Sequence, residues 1–399
     1  MSGTAPPTSV KRTRFSLSPS RQRTVKLSAN RLAVIAMEVT YNYEYPKRLR
    51  TGFIGCGGHA YRNIYPTFQY APVNLVAVCD LDSARAATYA KVFGAECHYS
   101  DHMEMLKHEE LDVVFIVTNI DEAGRPRYPK LVIDCLRAGA HAWIEKPPAG
   151  SSAEIQEMIR VSSETKRHVG VGFKKMFFPA NMKAKEIVSR PDFGPITSIT
   201  ARYPQSLPPF EDRSDPKKMV SFLDHIVHPH SVLRLLGGSI EWIFVNRNSA
   251  TGSATVSIRF TNGAAGTLHL SAGQSATSFL ERLEIIGDGE NVVVENNIRL
   301  IHYRRSKSKI QYGRSGDYFA AVPDDSAPLY WDPEFSLGQL YNKGLFLLGY
   351  APEVIQFTTR LLDGKGPAYG TLEDALELLQ IYEAYLLRDE VIHPIEASS

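Results

Sequence analysis

Three polar side chains have the chemistry needed to take a proton and a hydride from an alcohol. Lys146 stands in the tripeptide Glu145-Lys146-Pro147, and Asp224 and His228 follow later in the chain, at positions i and i+4. An ammonium group can stabilise a developing alkoxide, and an imidazole held by a carboxylate can accept the hydroxyl proton. We therefore predict that Lys146 polarises a substrate hydroxyl, that His228 takes its proton and that Asp224 orients His228.

The segment 222–230 around Asp224 allows other interpretations. In a helix, Asp224 and His228 would share one face, but Pro229 disfavours helical geometry at His228 and predicts a kink or an entry turn instead. With His225 and His230 nearby, the segment could bind a metal or could hold only non-catalytic histidines. We expect no metal, because Pro229 disturbs regular ligand geometry, and we assign His225 to substrate contact.

A glycine-rich turn well before Lys146 predicts a dinucleotide site. The strand-like residues 49–54 lead into Gly55-Cys56-Gly57-Gly58-His59-Ala60, a G-x-G-x-x-A pattern that allows a tight turn and a close approach to a pyrophosphate. Asp80 follows Gly55 by 25 residues, near the spacing expected for a carboxylate on the adenosine ribose. Its charge would repel a 2′-phosphate, so we expect NAD rather than NADP. The other predicted cofactor contacts are Thr118, Asn119, Glu145 and Lys146.

Composition places the chain among ordinary two-domain globular proteins. It has 399 residues, 43% hydrophobic and 22% charged, with a net charge of +2 that argues against nucleic-acid binding. No apolar run of membrane-spanning length is present, which argues against a membrane partner. The four cysteines are scattered without CxxC spacing, as is typical of reduced thiols, and we expect a cytoplasmic protein.

The first 48 residues differ in kind from the rest and predict a disordered extension. Residues 1–36 contain no Asp or Glu, and Ser2–Lys26 is rich in Ser, Thr, Arg and Pro. A transit peptide is one interpretation. A start at Met37, which runs directly into the first strand, is the other.

Alternating strand and helix patterns predict an α/β Rossmann domain, a doubly wound parallel sheet of six strands, over residues 49–174. Five of the six strands are placed, at 51–54, 75–78, 113–117, 141–144 and 168–173, and the predicted helices are 83–93, 129–138 and 152–164.

Residues 175–399 predict an α+β substrate and oligomerisation domain with a large, mainly antiparallel open sheet. Its predicted strands are 196–203, 240–246, 254–260, 265–271, 281–286, 291–295 and 298–303, with helices at 180–189, 337–362 and 372–387. The segment Arg304–Pro333 predicts a functional loop. Its Tyr312, Tyr318, Tyr330 and Trp331 could stack on a sugar ring or pack beneath the loop; of these, we assign Tyr330 and Trp331 to substrate binding.

The chain resembles the Gfo/Idh/MocA family of oxidoreductases from about Leu49 to the last helix. The markers are Gly55-Cys56-Gly57, Asp80, Ala138-Gly139-Ala140-His141 leading into Glu145-Lys146-Pro147, Gly172-Phe173, and Asp224-x-x-x-His228 followed by Leu233-Arg234-Leu235-Leu236-Gly237. The resemblance implies that Lys146, Asp224 and His228 form the catalytic group and that the substrate is a sugar, a sugar derivative or a cyclitol. It also implies an open sheet that often mediates oligomerisation, and we expect a homodimer or homotetramer.

Two departures from the family pattern concern the substrate. Tyr128 stands where the family often has His, and Lys174-Lys175-Met176 stands where many members have Asn followed by arginines. We assign Lys175 to substrate binding.

Three hypotheses follow. The first is an NAD-dependent dehydrogenase that oxidises a secondary hydroxyl of a sugar, glycoside or cyclitol by hydride transfer to the nicotinamide. The second is NAD-assisted glycoside cleavage, in which transient oxidation of a ring hydroxyl is followed by elimination. The third is a non-catalytic dinucleotide-binding sensor, which would need no proton acceptor such as His228.

Overall fold

Six parallel strands form the first sheet of the structure, a computed structural model in which residues 45–305, 327–333 and 342–396 are described. The strands are Leu49–Ile54 (β1), Val73–Cys79 (β2), Cys97–Tyr99 (β3), Val113–Ile116 (β4), His141–Glu145 (β5) and Val169–Gly172 (β6). Their order is β3-β2-β1-β4-β5-β6, so the winding reverses between β1 and β4. Ligands of doubly wound sheets bind outside the carboxyl ends of the strands, at this reversal.

Both faces of the first sheet are covered, which explains why its strands are nearly continuous hydrophobic runs. In β4, Val114 and Ile116 belong to one apolar cluster, whereas Val113 and Phe115 belong to the other. The helices between these strands are Ser83–Phe93 (α1), His102–His108 (α2), Tyr128–Arg137 (α3) and Ser152–Thr165 (α4).

The segment after the glycine turn is not a regular α-helix. It forms one π-helical turn over Ala60–Ile64 and a 3₁₀ helix over Tyr65–Gln69. Pro66 lies at the start of the 3₁₀ helix and has no N–H to donate, so a regular α-helix is interrupted there. Strand β3 and helix α2 were also absent from the prediction, and both are short.

Among the described residues, nine strands form a second sheet that is mainly antiparallel. They are Ser198–Tyr203 (β7), Ile240–Arg247 (β8), Ala254–Phe260 (β9), Ala265–Leu270 (β10), Arg282–Ile286 (β11), Asn291–Glu295 (β12), Arg299–Tyr303 (β13), Leu329–Trp331 (β14) and Ile392–Pro394 (β15). Their order is β14-β13-β12-β11-β7-β10-β9-β8-β15, and β7 runs parallel to β10 at its centre. The predicted fold class is confirmed, with two unpredicted three-residue strands at the sheet edges.

Five further helices complete the described part of the chain. They are Pro179–Val188 (α5), Pro216–Gly237 (α6), Lys343–Leu347 (α7), Tyr350–Leu362 (α8) and Leu372–Leu386 (α9). The prediction of one helix over 337–362 was wrong within the described residues, because Gly349 adopts a φ of +79° and separates α7 from α8. No described helix is long and apolar enough to cross a membrane.

The two last helices pack back against the first sheet. In α8, Phe357 contacts Phe115 edge-on at a centroid distance of 6.5 Å, and a Cβ at Gly170 would lie only 3.0 Å from the Phe357 ring. Helix α9 packs against α4 and α6, and its Glu383 accepts hydrogen bonds of 2.7 Å from both the amide and the hydroxyl of Ser152. These helices therefore fix α6 relative to the sheet.

Arg213, which is 2% exposed, ties the segment before α6 to the end of α9. It donates two hydrogen bonds of 2.8 Å to Asp389 and further bonds to the carbonyls of Pro208, Tyr385 and Leu387. The buried guanidinium therefore depends on Asp389 for its charge and on the carbonyls for its remaining donors.

We expect Asp389→Ala to lower the free energy of unfolding by about 3–5 kcal/mol, because it leaves the buried charge of Arg213 without its partner. Urea unfolding followed by circular dichroism measures this loss. The matched control is Asp288→Ala, which removes an exposed carboxylate paired with the exposed Arg305, and we expect a change within about 1 kcal/mol. Equal losses in the two variants would contradict this account.

Candidate active site

Lys146 lies at the carboxyl end of β5, where the chain leaves the first sheet. Its Nζ donates a hydrogen bond of 2.6 Å to Asp224 Oδ1 and is 3.4 Å from the Asp224 carbonyl. The two side chains are only 16% and 34% exposed, so their attraction is less screened than at the surface. The contact joins the first sheet to the middle of α6.

Asp224 and His228 both lie within the continuous helix α6, which includes Pro229. The predicted entry turn is therefore wrong, since both residues lie in the interior of a helix that begins at Pro216. Pro229 removes one helix hydrogen bond, but the helix buries a long run from Ile226 to Leu233 on both sides of it. Burial of that apolar surface outweighs the loss of a single bond.

His228 is 7% exposed, and its Nδ1 is buried without a hydrogen-bond partner in the described part of the chain. Its pKa lies well below 6.5, because burial and then the charges of Lys175, Lys146 and Lys174 disfavour the imidazolium. The ring is therefore neutral and able to accept a proton. Asp224 does not hold this ring as predicted, because its carboxylate pairs with Lys146 instead.

The glycine turn has the shape required by a pyrophosphate. Gly55 has a φ of +104°, and a Cβ there would lie 1.9 Å from the carbonyl oxygen of Val117, so only glycine fits. A Cβ at Gly57 would meet nothing within 4 Å, because this position faces the open cleft. A phosphate group can therefore approach the backbone at Gly57, as in dinucleotide-binding folds.

Asp80 holds the glycine turn in place. One of its carboxylate oxygens accepts a hydrogen bond of 2.8 Å from the backbone amide of Cys56. The other accepts a hydrogen bond of 2.9 Å from the backbone amide of Asp82. A carboxylate has about four acceptor sites, so Asp80 keeps capacity for ribose hydroxyls. Arg85 is 4.0 Å from Asp80 but lies closer to Asp82, at 3.2 Å.

A cleft of about 480 Å³ brings most of the predicted cofactor and catalytic residues together. Its lining includes Gly57, Gly58, His59, Ala60, Thr118, Asn119, Glu145, Lys146 and Asp224. Tyr128 also lines it and donates a hydrogen bond of 3.2 Å to the Thr118 carbonyl, so this departure from the family pattern lies at the site. Gly55 and Cys56 are the buried start of the turn, and Asp80, directly after β2, accepts the Cys56 amide.

Glu145 and His59 form a second contact across the cleft. Glu145 is 4% exposed, and one of its oxygens is 2.9 Å from His59 Nε2 while the other accepts the amide of Lys146. The amide of Asn63 donates to His59 Nδ1, so Nε2 carries the proton and donates to Glu145. These bonds orient the backbone that presents Lys146.

Tyr350 and Glu353 of α8 reach this site, and the sequence reasoning missed them. Lys174 Nζ donates a bond of 2.7 Å to the Tyr350 hydroxyl, whose ring lies edge-on to His59. Glu353 is 2% exposed, and its pKa is raised well above the usual value by burial first and by Glu145 second. The only signal in the sequence is a carboxylate among the apolar residues of a helix face.

Lys175 belongs to a buried polar network whose charge acts on His228. Its Nζ is 2.5 Å from Glu281 Oε2 and 4.6 Å from the Tyr203 ring centroid. Glu281 Oε2 also accepts a hydrogen bond of 2.7 Å from the side-chain amide of Asn297. Lys175 is 7% exposed, and burial lowers its pKa while Glu281 opposes the shift. Lys175, which we predicted to bind the substrate, is therefore already paired with Glu281.

The structure does not bring Tyr330 and Trp331 to the cleft. They lie on β14, the edge strand of the second sheet, where they pair with Ile301 and Leu300 of β13. In the sheet, β13 and β12 lie between β14 and β11, and Glu281 is the residue directly before β11. His225 lies next to Asp224 on the outer side of α6 and is exposed, and Tyr312 and Tyr318 lie outside the described residues.

We expect Asp80→Ala to weaken NAD binding about tenfold, because the ribose loses its acceptor and the glycine turn loses its support. The preference for NAD over NADP should narrow as well, since the repelling charge is gone. Fluorescence titration with both nucleotides measures the two effects.

Asp82→Ala is the matched control. Asp82 lies two residues along and caps α1 through the amide of Arg85. Asp82→Ala should leave the ratio of the dissociation constants for NAD and NADP unchanged. If Asp82→Ala reduced the preference for NAD over NADP as much as Asp80→Ala does, the charge of the whole segment, rather than Asp80 itself, would set that preference.

Comparisons with known proteins agree with this geometry. The family model of the oxidoreductase family with an NAD-binding Rossmann fold matches residues 49–173, and the Gfo/Idh/MocA C-terminal domain matches residues 181–293. The chain is 24% identical to myo-inositol 2-dehydrogenase of Thermotoga maritima over 261 residues, covering 62% of this chain and 75% of that protein.

Solved structures share the whole fold. An oxidoreductase from Agrobacterium radiobacter, in complex with NAD+, L-tartaric acid and magnesium, has a TM-score of 0.67 at 16% identity over 85% of this chain and 95% of that one. Levoglucosan dehydrogenase, in complex with NADH and L-sorbose, has a TM-score of 0.69 at 19% identity over 88% of this chain and 100% of that one. The chain is therefore an NAD-binding oxidoreductase of the Gfo/Idh/MocA family.

Proposed function

We propose that this chain oxidises a secondary hydroxyl of a sugar, glycoside or cyclitol with NAD. The observation that carries the proposal is the contact of 2.6 Å between Lys146 and Asp224 inside the cofactor cleft, one helical turn from a neutral His228. The names of relatives support the substrate class, since one is a myo-inositol dehydrogenase and another a levoglucosan dehydrogenase.

Each of the three side chains has one role in this proposal. NAD, when bound, supplies the acceptor for the hydride. Lys146 donates one N–H to the Asp224 carboxylate and a longer bond to the Asp224 carbonyl, and it keeps one donor for the substrate hydroxyl, where it stabilises the developing negative charge. His228 takes the hydroxyl proton. Asp224 fixes the position of Lys146, a role different from the one predicted.

The remaining assignments are part of the same proposal. We assign residues 49–174 to NAD binding, 175–399 to substrate binding and oligomerisation, and 1–48 to an extension. A homodimer or homotetramer is supported by the second sheet, where Thr255, Ser257 and Arg259 leave one face of β9 exposed. A cytoplasmic location is supported by four cysteines that are all free thiols.

We expect Lys146→Met to lower kcat/KM about 100–1,000-fold, because the developing alkoxide loses its charged donor. NADH formation at 340 nm with a panel of sugars, glycosides and inositols measures the loss. Lys107→Met, on a lysine that is 70% exposed in α2, is the matched control and should keep full activity.

The same assay separates the alternatives. Net NADH from a substrate supports the dehydrogenase. Released aglycone without net NADH would support cleavage through transient oxidation. NAD binding without either product would support the sensor, and full turnover in Lys146→Met would refute the role of this lysine.

The lowered pKa of His228 predicts an unusual pH dependence. The neutral form accepts the proton, and it persists when pH falls through 6.5, where an ordinary histidine becomes charged. We therefore expect kcat/KM to show no acid-side loss at pH 6.5. In Lys175→Met the loss should move to higher pH, because a neighbouring cation is removed and Glu281 is left unpaired.

Lys183→Met is the control for this profile, because Lys183 lies on α5 and pairs with Glu186. Its profile should match that of the unmodified enzyme. An identical profile in Lys175→Met would mean that His228 is not the group whose protonation limits the reaction.

A further inference from the structure

A second cavity, of about 710 Å³, lies next to the catalytic residues. It is bordered by the segment 203–208 after β7, by the loop 271–281 between β10 and β11, and by the outer side of α6. We call it the outer groove. His225 lines it beside Asp224, and Glu281 lines it beside Lys175, so it adjoins the site of the reacting hydroxyl.

The size of the outer groove exceeds the needs of a single sugar ring. Its volume lies in the range of about 300–1,000 Å³ that holds drug-sized ligands, in addition to the cofactor cleft of about 480 Å³. A substrate that fills it must extend beyond the ring that carries the reacting hydroxyl.

Each of the described lysines around the groove already has a hydrogen-bond partner. Lys146 pairs with Asp224, Lys175 with Glu281, and Lys218 with Asp212. The neighbouring Lys174 donates to the Tyr350 hydroxyl. Carboxylate and phosphate ligands are usually held by free arginine or lysine side chains. Among the described lysines and arginines that line the two cavities or adjoin His228, none is left without a partner for such a ligand.

The lining of the groove combines an apolar surface with hydrogen-bonding groups. Phe279 is 43% exposed, and Phe222 and Pro208 also line the groove. Gln205 donates to the Phe222 carbonyl, but its Oε1 has no donor in the described part of the chain. A sugar or aromatic ring presents the faces and hydroxyls that match such a surface.

Phe279 is held by a structured loop. Gln274 donates a bond of 3.1 Å to the Leu280 carbonyl and accepts one of 2.7 Å from the Leu280 amide. Its Nε2 also donates to Ser271 Oγ, at the end of β10. These bonds close the loop on both sides of Phe279 and leave its ring at the groove.

We infer that the substrate is an uncharged glycoside whose second ring occupies the outer groove against Phe279. The inference rests on the proposed function, because the oxidised ring must lie at Lys146 and His228. The second ring makes no contact with the reacting atoms, so its binding energy adds to affinity and orientation.

Calorimetry with the NADH-bound enzyme tests the inference without turnover. The ligands are a panel of free hexoses and inositols, the matching phenyl glycosides and phenyl glucuronide. We expect at least one phenyl glycoside to bind ten or more times tighter than its free sugar and than the glucuronide. In Phe279→Ala that advantage should fall below threefold, with the free sugar unaffected.

Two further variants keep the test decisive. Phe210→Ala is the matched control, because Phe210 is 49% exposed but lines a different cavity, and it should keep the full advantage. Phe279→Leu, which keeps an apolar contact, should retain part of the advantage and serves if Phe279→Ala does not fold.

The outcomes separate the inference from the proposed function. Equal affinity for glycosides and free sugars, tighter binding of the glucuronide, or an advantage that survives Phe279→Ala would each overturn the inference. The expected binding pattern without NADH formation would overturn the proposed function alone. Binding of no ligand in the panel would overturn both.

Discussion

The site depends on one ion pair that joins two domains, the contact of Lys146 at the end of a parallel strand with Asp224 in the middle of α6. The lysine is positioned by the sheet and the carboxylate by the helix, so the distance of 2.6 Å requires both to be held rigidly. Arg213 and Glu383 hold α6 and α9, and the buried run of α6 around Pro229 holds the helix itself. Packing far from the cleft therefore sets the geometry inside it.

Burial fixes the protonation states of the surrounding groups. His228 stays neutral, and Glu353 stays protonated because burial and the nearby Glu145 disfavour a second carboxylate. Glu145 is the partner of His59 Nε2. The buried ammonium of Lys175 is paired with Glu281, as a charge removed from water requires.

Local patterns predicted much of the fold, because apolar periodicity and caps are encoded nearby in the chain. Helix α1 and strand β12 have the predicted bounds. Edge strands of three residues, such as β15, are too short to show a period. The cofactor turn and Lys146 were predictable for the same local reason, whereas the partner of Asp224 was not. The pairing of Asp224 with Lys146 depends on how the domains pack, and so does the position of Glu353 on α8 near the site. The placement of Trp331 at a sheet edge depends on strand order.

The return of α8 to the first sheet has a consequence for how the chain folds during synthesis. Until Phe357 is made, the aromatic face formed by Phe115 and Trp143 lacks the helix that covers it. The ribosome must first add residues 173–357, which takes roughly 9–37 s at about 5–20 residues per second. The nascent Rossmann domain thus carries an exposed apolar surface for that interval, when protection by a chaperone matters most.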